Sequence, residues 1–169
     1  PTTRLSRPSR PRGRLPVGNR NPRVHAPHSL ADFVHDALAL EGPCVTVSTA
    51  CSSSAKVFAA AERMIRLGLV DAAIVGGVDT LCGSVLFGFN ALELAAPEPC
   101  RPFAAARRGI SIGEAAGFAL LERVGAAETP QLLGYGESSD AYHMSTPHPQ
   151  GLGARLALAD TFARAGLAP

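Results

Sequence analysis

The chain has 169 residues, enough for one domain with its own core and too few for two comfortable ones. Its 16 Lys and Arg against 14 Asp and Glu are unevenly placed: seven arginines (Arg4, Arg7, Arg10, Arg12, Arg14, Arg20 and Arg23) precede the first acid, Asp32. Past that tail the chain is net acidic, which excludes the basic surface of a nucleic-acid-binding body, and no apolar run reaches membrane-span length.

No signal-peptide apolar region follows the tail, so a cytoplasmic location is expected. Cys44, Cys51, Cys82 and Cys100 lack CxxC spacing and sit in apolar stretches, so reduced thiols are expected rather than a disulfide framework. The chain opens on Pro rather than Met, which suggests a fragment.

Residues 1–28 are rich in Pro, Arg and Ser, show no apolar periodicity, and are expected to form a disordered tail. A transit peptide, a nucleic-acid arm and an artefact of fragment choice or reading frame stay open as readings of it. Residues 29–169 are expected to form the folded domain. Ser29 is placed as the N-cap of a helix whose Leu30, Phe33, Val34, Ala37 and Leu38 share one face, ended by Gly42-Pro43. The β-branched run over 44–49 predicts a short buried strand. A helix over 52–67 follows, with Gly68 as its stop. Residues 72–75 predict a second strand, halted by Gly76-Gly77, and residues 84–94 a helix. Pro97, Pro99 and Pro102 mark a loop. Strands are predicted over 117–122 and 131–136. The last helix is predicted over 151–165, with Leu152, Leu156, Ala159, Phe162 and Ala163 facing inward. Strands alternating with helices predict a layered α/β domain.

Cys51 stands where the first predicted strand turns into the helix after it. A thiol there lies at the positive end of the helix dipole, which favours the nucleophilic thiolate. Taken on placement alone, an inert core cysteine is the competing account.

The run Thr49-Ala50-Cys51-Ser52-Ser53-Ser54 resembles the active-site signature of the β-ketoacyl-acyl-carrier-protein synthases, the condensing enzymes of fatty-acid and polyketide assembly. Three further stretches agree, in order. They are Asp71-Ala72-Ala73-Ile74-Val75-Gly76-Gly77-Val78-Asp79, then Arg101-Pro102-Phe103 with the run from Gly109 to Gly117, then Gly134-Tyr135-Gly136-Glu137-Ser138-Ser139-Asp140-Ala141-Tyr142-His143-Met144. The resemblance implies a thiolase-like fold, α/β/α/β/α in the complete enzyme, of which this chain is expected to hold the end of the first half and the start of the second. It also implies a homodimer or heterodimer, an acyl carrier protein as partner, acyl and malonyl thioesters as substrates, and no cofactor beyond the carrier's phosphopantetheine. No metal, nucleic acid or membrane is implied. The implied reaction is acyl transfer to Cys51, followed by decarboxylative Claisen condensation with malonyl-carrier protein. The runs around Cys51 and Cys100-Arg101-Pro102-Phe103 look more like discrete bacterial synthases than large modular ones.

By this resemblance Cys51 is the nucleophile and its backbone N–H one oxyanion-hole donor. Phe89 takes the place of an acyl-pocket residue, with core packing as the alternative and Phe87 as a weaker candidate. Ser145 and Thr146 fall beside the pantetheine arm, or else in a solvated loop before Pro147. His143 falls in a structural stretch rather than among the family's catalytic histidines. Glu114 and Arg101 are expected in a buried or half-buried polar network bracing the site, and Gly76-Gly77 in packing behind the nucleophile helix. A metal site from His25, His28 and a cysteine is conceivable on spacing and is set aside because it lies in the tail.

Three positions depart from the family run: Ala104 and Arg108 stand where acids are usual, and Ala115 where Gly is. The family's catalytic histidines, its lysine and its glycine-rich oxyanion segment fall beyond Pro169, so these residues alone are not expected to condense malonyl substrates. A partial thiolase half is also expected to expose apolar faces and strand edges. A catalytically inactive ketosynthase-like partner subunit and a gene remnant are the alternatives. The retained Cys51 argues against the first.

Overall fold

The computed structural model describes Asn21 and residues 26–123, 128–144 and 146–169. Most of the predicted tail and Ser145 lie outside the described residues. The chain divides into two compact units, Pro1–Thr46 and Val47–Pro169.

In the first unit, helix α1 spans Ser29–Ala37. His28, not Ser29, is the N-cap residue. The Ser29 hydroxyl turns back to donate to the Ala26 carbonyl at 2.7 Å, so it braces the entry instead of capping a later N–H. Leu30 and Val34 are half-buried, while Phe33 and Leu38, expected on the same face, are exposed.

In the second unit, a 3-10 turn at Ala50–Ser52 leads directly into α2, Ser53–Arg66. Strand β1 is Ala72–Asp79, α3 is Gly83–Ala91, β2 is Ala115–Glu122, and α4 is Leu152–Ala165. Strands β1 and β2 pair antiparallel, from Ala72 opposite Glu122 to Asp79 opposite Ala115. Helix α2 packs on this ladder, and the buried apolar residues among those described are Ala59, Ala61 and Ile65 of α2 and Val75 of β1. On the other sheet face Ile74, Val78, Phe118 and Leu120 stay exposed, as expected of a partial layered fold.

Three predicted elements are corrected. Residues 44–49 carry no strand ladder: β-branched residues make a strand only against a partner, and the described residues offer this run none. Strand β1 does not stop at Gly76-Gly77 but runs through both, because the bare backbone there is a packing surface. A Cβ on Gly76 would collide with the Phe118 ring across the ladder, and one on Gly77 would stand 2.8 Å from the Ser54 hydroxyl. Residues 131–136 form no strand. Their glycines lie instead against α4, Gly134 on Thr161 and Ala165, and Gly136 on Ala157 and Thr161. That contact also corrects the face of α4: Ala157, Thr161 and Ala165 are covered, and Leu156, Ala159 and Ala163 are exposed.

All four described α-helices end alike. A residue in the left-handed region is followed by a leucine whose N–H reaches back five residues: Ala39 then Leu40 to His35, Gly68 then Leu69 to Met64, Glu93 then Leu94 to Phe89, and Gly166 then Leu167 to Phe162. This is the Schellman closure, which satisfies the last carbonyls and folds an apolar residue back on the helix. Of these stops Gly68 and Gly166 are glycines, the residue type that takes this conformation without strain. Ala39 and Glu93 adopt a conformation that side chains disfavour, so α1 and α3 end earlier than their sequences suggest.

Candidate functional site

Cys51 occupies the middle of the 3-10 turn at the head of α2 and is exposed. Ala50 before it has φ +54°, a left-handed conformation that turns the chain sharply into the helix. Four hydroxyl contacts hold this turn. Thr49 N–H donates to Ser53 Oγ at 2.8 Å, and Ser53 Oγ donates to the Ala50 carbonyl at 2.7 Å. Ser52 Oγ donates to the Thr49 carbonyl at 2.9 Å and also meets Thr49 Oγ1 at 2.9 Å. The two serines after Cys51 thus spend their polar groups on the turn's backbone, and the thiol is left at the surface of a fixed turn. Ser54, against Gly77, seats the head of α2 on β1.

Further along α2, Lys56 and Arg63 both reach Glu137, at 3.2 and 3.1 Å. Burial pushes the Glu137 carboxyl up, but the two cations outweigh it and hold it below its usual range. Tyr135 lies between two guanidiniums, Arg63 at 5.5 Å and Arg164 at 4.7 Å from its ring centre. Arg164 is in turn held by both oxygens of Asp160 at 3.0 Å. Residues 134–137 are therefore clamped between α2 and α4. Beside them opens a cleft of about 210 Å³, lined by Glu62, Arg66, Leu132, Leu133, Tyr135 and Arg164 among others. It lies about three turns of α2 away from Cys51, which is not in its lining.

Phe89, on α3, is half-buried, and Phe87 is 71% exposed. Thr146 is exposed, and its N–H donates to His143 Nδ1 at 3.1 Å, which places His143 in a local turn. The same segment is gathered by Asp140, whose carboxylate accepts from the His148 and Tyr142 amides at 3.0 and 3.1 Å; these bonds hold it below the usual carboxylate range.

The expected Glu114–Arg101 network is not formed. Glu114 accepts from the Leu81 N–H at 2.8 Å and ties down the chain after β1, whereas Arg101 pairs with Glu98 at 2.9 Å. Both are exposed. Each is close in sequence or space to a nearer partner, and neither needs the other.

All four cysteines are free thiols. Cys82, at the head of α3, is pulled below its ordinary value by the Ser84 hydroxyl and then the Val85 amide, and Cys100 by the Ser111 amide and hydroxyl. Placement at a helix head, which singled out Cys51, applies equally to Cys82. The flanking motif is what separates them.

Residues 5–127 match the family described as beta-ketoacyl synthase, N-terminal domain. The chain belongs to the β-ketoacyl synthase family. It is 38% identical over 132 residues to nodulation protein E of Rhizobium meliloti, a match covering 74% of this chain and 33% of that protein. To 3-oxoacyl-[acyl-carrier-protein] synthase 2 of Rhizobium meliloti (strain 1021) it is 36% identical over 142 residues, covering 76% and 34%. A ketosynthase from Xenorhabdus doucetiae, solved in complex with its chain length factor, is 49% identical, with a TM-score of 0.77 over 85% of this chain and 35% of that one. The chain thus spans about one third of the length of the curated relatives it matches. Its α/β arrangement is a portion of the thiolase-like ketosynthase fold. Among the described residues, no helix is long and apolar enough to cross a membrane.

Proposed function

We propose that Cys51 is the acyl-accepting nucleophile of a 3-oxoacyl-acyl-carrier-protein synthase. The observation that carries this reading is an exposed thiol on a braced, left-handed turn at the head of α2, within a run that resembles the family's active-site signature. The Cys51 thiolate attacks the thioester carbonyl of an acyl chain held on carrier-protein phosphopantetheine. A new S–C bond forms, and the pantetheine thiolate leaves and takes up a proton. The N–H at the turn stabilises the oxyanion of the tetrahedral intermediate. In the complete enzyme, malonyl-carrier protein then loses carbon dioxide, and its carbanion attacks the acyl-cysteine to release a 3-oxoacyl product. Phe89 covers the acyl chain, and Ser145 and Thr146 bind the pantetheine amides. The partners are an acyl carrier protein and a second ketosynthase-type chain, identical or not.

Intact-mass analysis after exposure to an acyl thioester tests the first step. The wild-type chain gains one acyl mass and Cys51→Ser gains none. Equal labelling of the two chains, or labelling that tracks Cys82 instead, removes Cys51 from the role.

A further inference from the structure

Within the first unit, three side chains of different chemistry converge: His28 at the N-cap of α1, Asp32 one turn on, and Cys44 beyond the Gly42-Pro43 turn. Their donor atoms all lie within 4.8 Å of one another. Taken alone, His28 and Asp32 would be an ordinary i,i+4 helix pair. The thiol brought from a separate segment makes the group more than that.

We propose that His28, Asp32 and Cys44 form a site for a divalent transition-metal ion, zinc by donor set, with one coordination position open. Imidazole, carboxylate and thiolate together suit zinc, whereas hard cations take oxygen ligands alone. A tetrahedral zinc with N and O ligands near 2.0–2.1 Å sets those two donors about 3.3 Å apart. His28 Nε2 and Asp32 Oδ1 stand at 3.3 Å. Sulfur, with its longer bond, belongs about 3.6 Å from each, and the Cys44 Sγ lies no more than 4.8 Å from either donor.

The other imidazole nitrogen adds an independent sign. His28 Nδ1 lies 2.6 Å from Thr46 Oγ1. A metal-bound histidine uses its second nitrogen in this way, donating its N–H to an outer partner that fixes the ring and selects the tautomer. That tautomer leaves the Nε2 lone pair directed at the cluster. On binding, Cys44 gives its thiol proton to the buffer. His28 and Cys44 are only half-buried and Asp32 is exposed, so an ion enters from solvent. His28, in the tail by composition, is in the structure the entry residue of α1, facing a cysteine 16 positions on.

Cobalt(II) titration of the full chain under reducing conditions is the test. The expected result is a saturable one-to-one complex with a near-ultraviolet thiolate-to-cobalt band, displaced by zinc. Cys44→Ser abolishes the band, whereas Cys51→Ser, Cys82→Ser and Cys100→Ser keep it. His28→Gln and Asp32→Asn each weaken cobalt binding about tenfold or more and serve as the reading if Cys44→Ser does not fold. A chain that shows no saturable band, a band that survives Cys44→Ser, or unchanged affinity in both of the other variants overturns the site.

Discussion

The Ser54 hydroxyl rests against the bare backbone of Gly77, close enough that a Cβ on Gly77 would stand 2.8 Å from it. This contact seats the head of α2, and with it the Cys51 turn, on the middle of β1. Gly77→Ala is therefore expected to destabilise the chain by about 1–3 kcal/mol, the usual cost of overpacking. Denaturant unfolding checks the loss. The double variant Gly77→Ala with Ser54→Gly should recover most of it, and failure to recover would show that the pair is not the source of the strain.

Ser53 closes the turn by accepting from Thr49 N–H and donating to the Ala50 carbonyl. Ser53→Ala is expected to cost about 1 kcal/mol, the scale of a lost helix-entry hydroxyl. Ser53→Thr keeps the hydroxyl and should stay near wild type. Equal loss in both would assign the effect to packing.

Lys56 and Arg63 hold the Glu137 carboxyl below its ordinary value after offsetting its burial. A carboxyl whose pKa is depressed in the folded chain contributes stability above its unfolded value and loses it as pH falls through the folded one. The thermal midpoint of the wild type should therefore exceed that of Glu137→Gln at neutral pH. The gap should close on acidification below the normal glutamate range. The group is about a third exposed, so the neutral-pH difference is expected to be about 1 kcal/mol or less. A gap independent of pH would refute the ionic account.

Ala39 and Glu93 sit in the left-handed stop position that Gly68 and Gly166 fill without strain. Ala39→Gly and Glu93→Gly should each stabilise the chain by up to about 1 kcal/mol, whereas Gly68→Ala should destabilise it by a similar amount. Unfolding midpoints that move the same way for all three would contradict a shared closure.

Helices α2 and α4, the proline-marked loop, the strand at β2 and the place of Cys51 at a helix head were legible in the amino-acid order. Each rests on local chemistry: apolar spacing, a glycine stop, proline, and a signature of contiguous residues around Cys51. Family membership was legible for the same reason, because four short motifs keep their order along the chain. What the fold alone decided concerns partners far apart in sequence. Residues 44–49 and 131–136 have strand-like composition, yet pairing needs a second backbone, and the ladder went to β1 and β2. Gly76-Gly77 looks like punctuation until Phe118 and Ser54 are seen lying on it. Glu137 gains two cations from α2, Glu114 ties to Leu81 rather than Arg101, and Cys44 meets His28 and Asp32. Side-chain type says what a residue is able to bond. Only chain closure in three dimensions says with what, because the nearest competing partner in space wins.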